Sequence, residues 1–186
     1  PADNFFTDTL DEALLNNTID IAIHSAKDLP KKLPEGLKIV ALTKTMDDTD
    51  SWVSDFNLED LPLQAKVGTS SQLRSQKIKE LRPDLNLIDI RGTINERLDL
   101  LKSKKIDGLI VATCALKRLG LAHQIKSILP WGSTPLQGQL AIVARAKDLE
   151  IERIFKSIDV REQYGKVSLV GAGPGDPELI TLKAIE

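Results

Sequence analysis

A histidine, a lysine and an aspartate fall within five residues in His24-Ser25-Ala26-Lys27-Asp28-Leu29-Pro30, directly after the apolar run Ile19-Asp20-Ile21-Ala22-Ile23. A buried strand that ends this way delivers an ammonium and a carboxylate to one loop, at the strand end where α/β domains bind ligands. Pro30 stiffens the exit from that loop. Four guanidinium groups follow the same logic. Arg74 comes shortly after Gly68-Thr69-Ser70-Ser71, Arg91 directly follows the apolar stretch 85–90, Arg97 lies beyond it, and Arg118 follows the run 108–113. Strand-to-helix junctions expose backbone N–H groups to anions, and arginine suits bidentate recognition of carboxylate or phosphate. An isolated arginine after a strand is ordinarily a surface residue or an ion-pair partner. Three junctions that agree point instead to an anionic ligand.

The elements that must position these groups alternate along the chain. A helix is predicted over 7–16, with Leu10, Ala13 and Leu14 on one face. Strands are predicted at 19–24, 38–43, 66–70, 85–90, 108–113 and 140–144, with helices at 93–103, through Lys117 and Arg118, and at 147–158. Such alternation predicts an α/β fold with mostly parallel sheets. The Asp-rich break at 44–50 and the Pro/Gly-rich stretch 130–135 bracket a middle block. They predict two domains with a cleft between them: 1–44 plus 138–160 as domain 1, and 45–137 as domain 2.

Composition is compatible with this. The 186 residues are 41% hydrophobic but only 4% aromatic, which favours an aliphatic α/β core. The net charge of -2 hides an asymmetry: residues 66–126 hold 13 Lys/Arg against 6 Asp/Glu, and the remainder 12 against 21. A basic block inside an acidic chain marks a site for an anionic partner. Nucleic acid is not expected, because that block lacks the aromatic side chains that stack on bases. Cys114 is the single cysteine, so no internal disulfide forms. No run of about 18 apolar residues suggests a membrane span, and no signal peptide is read at the start; a cytoplasmic location is expected. The chain opens on Pro1 and stops within a helix-like stretch, as a piece of a longer protein would.

Several motifs carry a family resemblance. HSAKDLP, GTSSQLRSQKI (68–78), RGTINERL (91–98), ALKRLGL (115–121) and QGQLAI (137–142) occur in the order found in porphobilinogen deaminase, and the likeness covers residues 1–150. The resemblance implies two domains like those of type II periplasmic binding proteins, with a small third domain. It implies the joining of four porphobilinogen molecules with release of ammonia, on a dipyrromethane cofactor tethered to a cysteine. Small-molecule polycarboxylate pyrroles are then the partners. By motif, Asp28 resembles the catalytic carboxylate, which would stabilise the positive azafulvene-like species. Lys27, Thr69, Ser70, Ser71, Arg74, Arg91 and Arg97 resemble the cofactor-binding groups. Arg118, Arg91 and Arg97 resemble those that grip substrate acetates and propionates. His24 is expected to buttress the loop by hydrogen bonding.

The departures are specific. Leu73 stands where the family has the first of two arginines, Asp3 and Asp8 stand where lysines are usual, and Val143 replaces an acid. The family's first βαβ portion and its cysteine domain are expected to be absent, and Cys114 reads as a small buried hydrophobe rather than a cofactor anchor. The sequence Gly165–Ala184 reads as a strand, a glycine-rich turn and a helix start. It resembles the opening of uroporphyrinogen-III C-methyltransferase, so 161–186 is expected to begin such a domain or to form a tail. S-adenosylmethionine would bind only a complete methyltransferase domain.

Overall fold

The computed structural model describes residues 5–132 and 134–163; the chain start read above and the glycine-rich segment 165–186 lie outside them. The chain runs through α1 (Phe5–Leu15), β1 (Ala22–Ser25) and β2 (Leu37–Leu42), then crosses to β3 (Asp50–Val53). It continues through β4 (Lys66–Gly68), α2 (Gln72–Leu81), β5 (Asn86–Ile88), α3 (Ile94–Lys102), β6 (Gly108–Ala112), α4 (Thr113–Arg118) and β7 (Ser127–Ile128). It then returns as β8 (Leu140–Arg145) and α5 (Leu149–Phe155).

Two sheets result. The first has the order β1-β8-β2, and the second β5-β4-β6-β3-β7. The expectation of mostly parallel sheets is corrected: only β4 pairs in parallel, with β5 and β6, whereas β1–β8, β2–β8, β3–β6 and β3–β7 are antiparallel. The reason lies in the two crossings. The strand that follows each crossing, β3 in one sheet and β8 in the other, runs against the strands it pairs with. The βαβ alternation therefore sets only the local pairs around β4.

Each sheet has its own core. In the first, Leu14, Ala22, Leu37 and Val143 pack together, with Leu10 and Ile19 against them. The helix that carries Leu14 stops before Asn17, which takes the left-handed conformation at φ 57°, one of the few non-glycine residues that tolerate it. In the second, β6 is buried along its whole length, as expected for a central strand covered on both faces. Gly108 is required there because a Cβ would overlap the ring of Trp52, which is fully buried on the neighbouring strand. The ends of β1, β4 and β6 then carry the loops and helix starts that hold the polar residues.

Candidate functional site

β1 runs into a tight turn, Ala26–Asp28, that carries Lys27 and Asp28. The turn is anchored on the residue before β8, through the Ala26 N–H donating to the Gln139 carbonyl at 3.0 Å. His24 does not supply the expected buttress: its Nε2 is buried without a hydrogen-bond partner. The backbone just before the returning strand does that work instead.

Lys27 and Asp28 line a cavity of about 190 Å³ together with Arg74, Arg97, Cys114 and Arg118. Residues distant in sequence thus share one space between the two sheets. Four cations face one carboxylate there, but they are not equivalent. Arg74 on α2 is buried, and its Nη2 donates to Asp50 Oδ1 at 2.7 Å and to Gln137 Oε1 at 3.1 Å. Its charge is matched. Burial pushes the Asp50 carboxyl up, yet the Arg74 hydrogen bond and charge, with Trp131 and Gln137, hold it below the ordinary carboxylate range. That leaves Lys27, Arg97 and Arg118 against Asp28, so the cavity favours an anion.

Lys27 and Arg97 both carry the cost of partial burial. Desolvation pushes the Lys27 ammonium down, Arg74 adds repulsion, and Asp28, Cys114 and Asp50 offset part of it. Desolvation also lowers Arg97, helped by Arg74 and Arg91. Cations held this way are eased by an incoming carboxylate. Arg97 is aimed by its Nε, which donates to the Gly92 carbonyl at 2.9 Å, and by its Nη1, which donates to Ser70 Oγ at 3.3 Å. Arg118 Nη2 donates to the Gly138 carbonyl at 2.7 Å.

The remaining predicted residues lie elsewhere. Thr69, Ser70, Ser71 and Arg91 line a separate, larger cleft of about 530 Å³. Arg91 is exposed and sits 3.6 Å from Asp89. Of the four arginines, Arg74, Arg97 and Arg118 line the cavity that Asp28 also lines, and Arg91 lines the cleft. Ser70 accepts from Arg97, whereas the Thr69 and Ser71 hydroxyl groups serve local structure. Ser71 caps α2 by accepting from the Arg74 N–H, and Thr69 Oγ1 accepts from the Ser71 N–H at 3.3 Å.

Sequence reading gave no role to Asp50, Trp131 or Gln137. Gln137 is 1% exposed. Its Oε1 also accepts from Lys27 Nζ at 3.3 Å, while its Nε2 donates to the carbonyls of Asp48 and Thr49 and to Asp50 Oδ1. It thereby ties the loop after β1, helix α2 and both crossing segments together. Gly138, at φ +80°, lets these segments touch, since a Cβ would meet the Asp47 carbonyl and Thr45 Oγ1. The signals available were the QGQLAI motif and an aspartate opening the strand that bears Trp52. Among the described residues no group of three or more His, Cys, Asp or Glu side chains could hold a metal ion, and no helix is long and apolar enough to cross a membrane.

A cleft between two mixed α/β sheets linked by two crossings defines a class. The fold is that of the type II periplasmic binding proteins, and solved structures resemble it at low identity. One is a periplasmic substrate-binding protein of an ABC transporter from Coxiella burnetii (TM-score 0.56, 13% identity, 81% of this chain and 75% of that one). Another is a putative methionine-binding lipoprotein from Bacillus subtilis (TM-score 0.54, 12% identity, 81% and 74%). These show the fold alone. The family model described as "Porphobilinogen deaminase, dipyromethane cofactor binding domain" matches residues 2–153, and the chain belongs to the porphobilinogen deaminase family. Its relatives include porphobilinogen deaminase from Syntrophomonas wolfei, 38% identical over 86% of this chain and 54% of that protein. The one from Campylobacter lari is 44% identical over 66% of this chain and 41% of that protein. The chain thus spans about half the length of the curated relatives it matches.

Proposed function

We propose that this chain is the segment of a porphobilinogen deaminase, a transferase, that binds the growing polypyrrole and carries the carboxylate on which its chemistry depends. The parent protein polymerises four porphobilinogen molecules to hydroxymethylbilane and releases ammonia. The observation that carries this reading is the meeting of Lys27, Asp28, Arg97 and Arg118 around one cavity. Pyrroles that bear acetate and propionate groups need several fixed cations, and a ring that turns cationic as ammonia leaves needs one fixed anion. Among the described residues, Asp28 is the lone carboxylate lining that cavity.

A dipyrromethane suits the donors present, because Arg74 holds a buried Nε–H with no acceptor beside Lys27 and Arg97. Lys27, Arg74 and Arg97 would hold its carboxylates, and Thr69, Ser70, Ser71 and Arg91 would hold the part that extends into the larger cleft. When bound, it supplies the pyrrole end to which substrate is joined. Lys27 and Arg97 neutralise carboxylates, Arg118 orients an incoming one, and Asp28 accepts from the pyrrole N–H and stabilises positive charge on the substrate ring.

The domain division belongs to the same reading: 1–44 plus 138–160 form one domain, 45–137 the other, and the cavity lies between them. A cytoplasmic setting and a fusion that continues from 161–186 into uroporphyrinogen-III methyltransferase complete it, the latter resting on the Gly-Ala-Gly-Pro-Gly-Asp sequence at 171–176. Two observations favour a second reading, a module that binds linear tetrapyrrole or another polycarboxylate without turnover. Arg74 is committed to Asp50, and Leu73 stands where the family has another arginine.

Incubation with porphobilinogen separates the two. Ammonia release that disappears in Asp28→Ala, with the circular dichroism spectrum unchanged, is the expected result. Binding of porphobilinogen without ammonia release would leave only the second reading, and undiminished release by Asp28→Ala would remove Asp28 from its role.

A further inference from the structure

The last described α-helix leaves apolar side chains uncovered. α5 buries no residue, whereas α1, α2, α3 and α4 bury Leu14, Ile78, Leu98 and Leu116. Its inner residues Ile151 and Phe155 only partly bury themselves against Val40, Ala41, Ile142 and Ala144. Leu149 and Ile154 are 58% and 60% exposed, and Ile158, in the turn that continues the helix, is 46% exposed. Single exposed apolar residues are ordinary; a group of them on one short element marks a contact surface. A second observation shows what lies nearest. The chain leaves this helix through 159–163, and that exit is pinned to β2, an edge strand of its sheet. Asp159 Oδ1 accepts from the Leu42 N–H at 3.1 Å and from Arg161 Nε at 2.9 Å, and Arg161 Nη2 donates to the Ile39 carbonyl at 3.0 Å. Glu162 of the exit lines a groove of about 260 Å³ together with Val40 and Leu149.

We propose that the exposed apolar side of α5 and its following turn is the docking surface for residues 164–186 of the same chain. The described residues end at Gln163, and the sequence runs on through Val167, Leu169 and Val170 to Leu179 and Leu182, enough apolar side chains to cover Leu149, Ile154 and Ile158. A segment that starts from a pinned point beside the surface is present there at an effective concentration on the order of millimolar. A separate partner, or a second copy, competes only when its own concentration approaches that. On the fusion reading above, the second domain then begins against the first, without a free linker between them. The docking itself rests on α5 and its exit and not on turnover of porphobilinogen, so a chain that releases no ammonia can still display it.

Hydrogen exchange of the whole chain, read by mass spectrometry, tests it. Amides in 165–186 are expected to exchange on the order of tenfold more slowly than in a synthetic peptide of the same sequence. In the double variant Ile154→Ser/Ile158→Ser this protection should be lost, while peptides from β6 and β8 keep theirs and show that the fold is intact. Exchange of 165–186 at the free-peptide rate in the wild-type chain would overturn the proposal. So would protection that survives the double variant, because the segment would then be held elsewhere. Protection that appears only as protein concentration is raised would also overturn it, since a second copy would then be the occupant.

Discussion

The cavity between the sheets and the larger cleft beside β4 and β5 are both built from strand-to-helix junctions with arginines, yet they differ in what holds those arginines. In the cavity, Arg74 is matched by Asp50, and Gln137 accepts from both Arg74 and Lys27. In the cleft, Arg91 lies on the surface near Asp89, and the Thr69 and Ser71 hydroxyls cap local turns. Positive charge alone does not make a site. Burial of the cations, and a frame that fixes them before ligand arrives, separate the two regions.

That comparison can be broken first at the frame. Asp50→Ala leaves the Arg74 guanidinium buried without its partner, and a loss of about 3–5 kcal/mol is expected in urea unfolding. Asp50→Asn, which keeps the shape, should lose less while still weakening the ion pair. The pH dependence follows with a definite sign. The Asp50 carboxyl is held below its ordinary value in the fold, so its contribution is complete above the unfolded carboxylate value of about 4 and is lost as pH falls through the lower folded value. Asp50→Asn should flatten that part of the acid limb, measured as unfolding midpoints against pH. A variant as stable as wild type at neutral pH would show that the pair is dispensable.

Gly138→Ala ranks next. The residue sits at φ +80°, and a Cβ would press on the Asp47 carbonyl, so a cost of about 1–3 kcal/mol is expected in the same assay. The smallest effect belongs to the cleft. Ser71→Ala removes the α2 cap and should cost about 1 kcal/mol. If Ser71→Ala were instead as damaging as Asp50→Ala, the contrast between a built cavity and a surface cleft would not hold.

Much of the fold was legible in the sequence, and the illegible parts share a cause. Apolar runs and spacing located α1, β2, β6, β8 and α5 to within a few residues, and β6 and β8, buried almost throughout, show as continuous apolar stretches. Strand direction was not legible. The antiparallel entry of β3 and β8 depends on where the chain crosses between sheets, and no local spacing encodes that. The short edge strand β7 carries too few residues to show a period.

For the site, the loop after β1 and the junction arginines stood out by type and place, and Lys27, Asp28, Arg97 and Arg118 do share a cavity. Arg74 was legible as an arginine but not as an ion pair, since its partner Asp50 lies 24 residues upstream, on strand β3. Gln137 was invisible as a clamp because a neutral amide announces nothing until the backbones around it are placed. His24 misled for the opposite reason: a histidine in a motif invites a role, whereas the backbone just before β8 secures the loop.

The direct test of the difference between the two regions is titration calorimetry of porphobilinogen into the wild-type chain, Arg97→Leu and Arg91→Leu. Arg97 donates from within the cavity wall, so its loss should weaken binding by on the order of tenfold to a hundredfold. Arg91 is exposed, and its loss should change affinity by less than about fivefold. Equal losses in the two variants, or a larger loss for Arg91→Leu, would contradict the cavity as the site where the pyrrole carboxylates are held.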